Sequence, residues 1–163
     1  MKILAIDPGT VESGFVLFNS ETRQVVDTGV LENEELLGMS AWVDADILVV
    51  EMVANYGMPT GRTTFETVLW IGRFIQFAAA NKIPYKKLYK KVDINPTLCF
   101  SNKAKDTNIR RAVLDMFEPT GGGANPEIGT KALPGPLFGV SSHAISALAV
   151  ALTYCLQEKL IER

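Results

Sequence analysis

The chain has 163 residues, of which 47% are hydrophobic and 21% charged, and its net charge is −2. No apolar run reaches the ~18 residues needed to span a bilayer, and the lysine and short apolar stretch at the N-terminus do not have the form of a signal peptide. Two cysteines, Cys99 and Cys155, lack any disulfide or metal-binding spacing, so the expectation is one domain over residues 1–163, in the reducing cytoplasm, with no membrane partner.

In chain order, Ile3 to Ile6 is an unbroken apolar run and reads as a strand buried on both faces. Asp7 follows at once, and Pro8 and Gly9 end the strand. A carboxylate at the end of a central strand is costly unless paired or bound to a metal, although a turn aspartate has the same look. Ser13 to Asn19 and Gln24 to Leu31 read as the next two strands, joined by the polar link Ser20 to Arg23, which makes an antiparallel meander. A short acidic helix is expected within Glu32 to Met39.

Ile47 to Val50 is a second wholly apolar run, and it too ends in a carboxylate, Glu51. After a helix it should run parallel to the first strand. Ligands in open α/β sheets gather at the C-terminal ends of such strands, so Asp7 and Glu51 are expected to converge. Two close carboxylates repel unless a cation or a shared proton lies between them.

Ala54 to Arg62 is a loop by its Gly and Pro content, either a plain connection or one whose Tyr56 and Arg62 touch a nucleic-acid backbone or base. Thr63 to Asn81 reads as the longest helix, capped by Thr63 or Thr64 and apolar on both faces. Burial all round is the expectation, with one face against a second copy of the chain. A strand is expected within Pro84 to Tyr89, and Pro96 should stop any helix begun near Tyr89. Asp106 or Thr107 should cap a helix with Ile109, Val113, Met116 and Phe117 on its apolar face. Glu118 to Val140 is long and irregular, and Ser141 begins an alanine-rich last helix with His143 and Ser146 on one face.

The charge is unevenly spread. Residues 81–111 hold nine basic side chains against two acidic ones, whereas the rest of the chain holds seven against sixteen. Such a band suits a phosphate backbone, and a solvated lysine-rich face would look the same. Lys90, Lys91, Lys103, Lys105 and Arg110 are the candidate contacts.

These features together resemble the RuvC family of Holliday-junction resolvases, and within it the shorter phage-type members. The segments that carry the resemblance are Ile6-Asp7-Pro8-Gly9-Thr10, Val49-Val50-Glu51-Met52, Tyr56-Gly57-Met58-Pro59 with Trp70-Ile71-Gly72-Arg73, Ala104-Lys105-Asp106, and His143 to Ala151. The resemblance implies an RNase H-like α/β fold, a five-stranded mixed sheet flanked by helices. It also implies a homodimer that nicks four-way junctions, forks and other branched DNA with Mg²⁺, or Mn²⁺ in its place, leaving 5′-phosphate and 3′-hydroxyl ends. Asp7, Glu51 and His143 fall on the family's catalytic, metal-binding positions. The family often places an aspartate where this chain has Ser146, a poor ligand that would line the site.

Three other functions stay in view. Ser146 suits a branched-DNA-binding protein with weak or no catalysis. An RNase H-like RNA nuclease shares the carboxylates. An actin-like phosphotransferase shares Asp-x-Gly-Thr, but its two-lobed fold needs a longer chain.

Overall fold

The computed structural model describes residues 1–163. Its centre is a five-stranded sheet in the order β3-β2-β1-β4-β5. β1 (Lys2–Asp7), β2 (Glu12–Asn19) and β3 (Gln24–Glu32) form the expected antiparallel meander, and β4 (Ile47–Met52) pairs in parallel with β1. β5 (Tyr85–Tyr89) adds parallel to β4. The sheet is therefore mixed, with the two apolar runs side by side at its middle. Ile3 to Ile6 and Leu48 to Val50 are fully buried, as strands covered on both faces must be.

Helices cover the two faces unequally. On one face lie α4 (Asn95–Cys99), α5 (Asp106–Leu114) and α6 (Ser142–Gln157), enclosing a core of 26 residues. On the other lie α1 (Asn33–Gly38), α2 (Ala41–Asp44) and α3 (Arg62–Ala80), with a core of 12. α6 takes the central position because Ala144, Ala147 and Ala151 keep its sheet-facing side thin. Cys155 is wholly buried on it, and burial pushes its thiol up to about 12.

Several local expectations change. α3 is not buried all round: Ile71, Phe74 and Ala78 face the sheet, but Phe65 and Leu69 are each 66% exposed. Neither Thr63 nor Thr64 caps it, because the chain enters through an extended Gly61. Pro96 does not break the helical path either. One π-helical turn, Lys90–Ile94, runs directly into α4, where Pro96 sits in the first turn and needs no N–H partner. The segment from Glu118 to Val140 is irregular as expected, apart from a bridge between Gly129 and Pro134. Its Glu127 is buried against Arg111 of α5 at 3.3 Å.

Candidate active site

Strand alternation aims the two carboxylates. Asp7 shares a face with Ile3 and Ala5, and Glu51 with Ile47 and Val49, all four of which lie in the α6-side core. Ile6 pairs with Val50, so Asp7 and Glu51 are the next neighbours in register at the C-terminal ends of parallel strands. They rise together toward the start of α6.

Their closeness has an electrostatic signature. Burial, then the charge of Asp7, pushes the Glu51 carboxyl up to about 7, while Lys90 opposes the shift. Burial also raises Asp7, against the pull of Lys90, His143 and the Ser146 hydroxyl. The pair is thus held at a cost to the metal-free fold, as functional carboxylates often are.

The turn after Asp7 is clamped from below. The Gly9 N–H donates to Ser13 Oγ at 3.1 Å, and Ser13 Oγ donates to Asn33 Oδ1 at 2.5 Å. Asn33 Nδ2 then donates to the Gly9 carbonyl at 3.1 Å. Ser13 and Asn33 are both buried. This ring ties the first residue of α1 to the turn and fixes where β1 ends. The sequence reading missed Asn33, whose partners lie more than ten residues away.

On the other side, Gly14 opposes Asp7 across β1 and β2. A Cβ there would lie 2.6 Å from the His143 carbonyl oxygen. Only glycine lets α6 begin so close to β2, which brings His143 and Ser146 to Asp7. Ser141 caps the helix by accepting from the Ala144 N–H at 3.4 Å. His143 is exposed and lines a cavity of about 240 Å³ with Asp7, Gly9 and Glu12. Ser146 lines a second cavity of about 210 Å³ with Glu51, Lys90, Asp106 and Arg110.

Lys90 and Asp106 are the residues whose place the sequence did not reveal. Lys90, expected on a basic outer face, enters the second cavity with Nζ 2.7 Å from Asp106 Oδ1. Burial works to lower its pKa, but the Asp106 hydrogen bond and the charges of Glu51, Asp106 and Asp7 outweigh it and hold the ammonium above its usual range. Asp106, expected as a cap, is instead the first residue of α5, where Lys105 holds the cap position and its N–H donates to Asn108 Oδ1 at 2.9 Å.

The remaining basic residues divide. Lys91 folds back on the loop after β4: its N–H donates to the Tyr56 hydroxyl at 3.2 Å, and its ammonium lies 4.4 Å from the Tyr56 ring centre. Lys91 also joins Lys90 and Lys103 around an open cavity of about 490 Å³ beside the carboxylates. Lys105 is exposed nearby. Arg62 stands apart on α3, paired with Glu66 at 2.7 Å.

No three His, Cys, Asp or Glu side chains are spaced as a finished metal cluster, so Asp7, Glu51 and His143 do not form one by themselves. The donor chemistry nevertheless fits a hard divalent cation. Two half-buried carboxylates supply oxygen, and such cations complete their shells with water or phosphate oxygens.

No family model and no curated protein matches the chain. Solved structures do. A structure of Thermus thermophilus RuvC aligns with a TM-score of 0.71 at 17% identity, over 98% of this chain and 96% of that one. A structure of T. thermophilus RuvC in complex with Holliday junction substrate aligns with a TM-score of 0.68 at 16% identity, again over 98% and 96%. The chain therefore has the fold of RuvC, the RNase H-like mixed sheet with helices on both faces.

Proposed function

We propose that the chain is a metal-dependent, structure-selective endonuclease that hydrolyses a phosphodiester of Holliday junctions and other branched DNA, acting in the cytoplasm of a bacterial or phage-infected cell. The observation that carries this reading is the convergence of Asp7 and Glu51 beside the lysine-lined surface, on a fold whose relative has been solved with a Holliday junction. Asp7 and Glu51 would hold Mg²⁺ or Mn²⁺, with His143 beside Asp7. The bound cation would make a water nucleophilic and offset charge on the phosphate. Lys91, Lys103, Lys105 and Arg110 would grip backbone rather than bases, and so select shape.

The same reading makes the protein a homodimer that cuts two strands with two sites. Support comes from α3, where the exposed Phe65, Val68 and Leu69 adjoin a groove of about 660 Å³ that also includes Leu37, Gly72 and Phe77. Large apolar side chains gathered on one helix face are a usual mark of an assembly surface.

The testing experiment incubates the protein with a labelled four-way junction, a fork and a linear duplex in Mg²⁺, Mn²⁺ or EDTA. Metal-dependent nicking of the branched forms, with 5′-phosphate and 3′-hydroxyl ends, is expected. Tight junction binding with no nicking would favour the second reading, a binding protein, for which Ser146 is the specific support. Faster cleavage of RNA than of junctions would move the substrate to RNA. Neither binding nor cleavage would reject the proposal.

A further inference from the structure

The cavity between Glu51 and α5 holds two carboxylates, Glu51 and Asp106, and two basic side chains, Lys90 and Arg110. Its wall on α6 is formed by Ser142, Ile145, Ser146 and Ala149, none of them charged. From the other side Lys90 enters, delivered by the π-helical turn that follows β5 next to Glu51's own strand. Its ammonium is held by Asp106 at 2.7 Å. Asp7, Glu51 and Asp106 all act on this one ammonium. Arg110 lines the same cavity.

Counting charges decides what the site accepts. Asp7, Glu51 and Asp106 against Lys90 and Arg110 leave one negative charge, so a single divalent cation together with the negative charge of the phosphate brings the site to neutrality. A second divalent cation would leave the protein groups with a net positive charge and would have to displace Lys90 from Asp106, with no carboxylate on α6 to receive it. Lys90 is half-buried and Asp106 lies mostly in solvent, so the repulsion is screened in part and still acts at the short distance between Lys90 and a cation in this cavity.

We propose that each chain binds one divalent cation, and that Lys90, held in place by Asp106, supplies at the scissile phosphate the positive charge that a second cation would otherwise bring. The proposal rests on the nuclease reading and deepens it. In the hydrolysis, the oxygen of a water bonds to phosphorus and the P–O3′ bond breaks. One water proton passes to solvent, and the departing 3′-oxygen takes up a proton from solvent. Lys90 keeps its own proton and donates a hydrogen bond to a non-bridging phosphate oxygen, so it contributes charge and orientation. Asp106 is a positioning residue, since it acts through Lys90.

The test counts cations before it measures cutting. Mn²⁺ is titrated into the metal-free 163-residue protein and the free ion followed by electron paramagnetic resonance. One site per wild-type chain is expected, and two per Ser146→Asp chain. Lys90→Met is expected to keep one Mn²⁺ per chain, bound at least as tightly, while nicking falls by about a hundredfold to a thousandfold. Lys90→Arg should retain most of the nicking, which separates loss of charge from loss of fold. The double variant Ser146→Asp with Lys90→Met should bind two cations and recover nicking. Two Mn²⁺ ions per wild-type chain, or undiminished nicking by Lys90→Met, would overturn the inference while leaving the nuclease reading intact. Absence of both Mn²⁺ binding and nicking in the wild type would remove the two together.

Discussion

On the α6 face of the sheet, a helix of small residues lies flush against β1 and β2, and the strand ends beside it are polar and charged. On the α3 face, a helix with large residues turns Ile71 and Phe74 inward and leaves Phe65 and Leu69 in solvent. Both helices look apolar in sequence, yet only one is enclosed. The difference teaches that residue size, as well as hydrophobicity, tells how a helix is covered. Alanines let neighbours close in, whereas bulky outer residues mark a surface that still needs a partner. By this reading the α6 face carries the chemistry and the α3 face the assembly, and each can be disturbed without the other.

Asp7→Asn should have the largest effect. Nicking should fall by at least about a thousandfold, while junction binding is kept or tightened because a negative charge near phosphate is gone. Gel-shift and cleavage assays on one preparation would show it, and normal cutting would displace the site from the α6 face.

Glu51→Gln should also abolish nicking, but with an opposite effect on stability. The carboxyl rises from 4.5 to about 7 on folding, so the folded state prefers it protonated. Below pH 4.5 it is protonated in both states and the substitution changes little. As pH rises from 4.5 to about 7, the unfolded chain ionises this group before the folded one does, and the metal-free wild type loses about 3 kcal/mol, which the glutamine escapes. The variant should therefore melt roughly 5–10 °C higher at pH 8 and nearly level with wild type near pH 4.5. Calorimetry at the two pH values checks the sign.

Asn33→Ala should cost about 1–3 kcal/mol in urea unfolding, because Ser13 Oγ and the Gly9 carbonyl lose a buried partner. It should also slow nicking by loosening the Asp7 turn. Leu69→Glu acts on the opposite face. Sedimentation should show monomers where the proposed wild-type dimer is expected, with little change in melting, since Leu69 is 66% exposed in the single chain. The mildest effect belongs to Lys103→Ala with Lys105→Ala, which should weaken junction binding and lower the salt slope of log K by about two.

Much of this was legible in the chain. The two apolar runs ending in Asp7 and Glu51 could only be central strands, and strand alternation with a shared parallel register then forces the carboxylates together. The last helix was readable for a similar reason, since its alanines and its capping serine are local signals. Lys90 and Asp106 were not readable, because their meeting depends on a π-helical turn carried through Pro96 and on the entry angle of α5. A lysine in a basic run and an aspartate before a helix each have an ordinary local explanation, and nothing nearby in sequence favours the other one. The open face of α3 was half visible: its amphipathic excess could be seen, but not which side the sheet would take.

Asp7 and Glu51 sit on the two strands at the heart of the sheet, whereas Lys90 and Asp106 sit at the starts of short segments near its margin. Amide hydrogens of β1 and β4 should accordingly exchange only when the whole molecule opens, and those of residues 90–106 much sooner, through local fluctuations. On warming, the walls of the site would then come loose while its floor still stands. Cutting would fade over a range of temperature where the fold as a whole is intact, and the ceiling on working temperature would be set by the Lys90 to Asp106 segment rather than by the core.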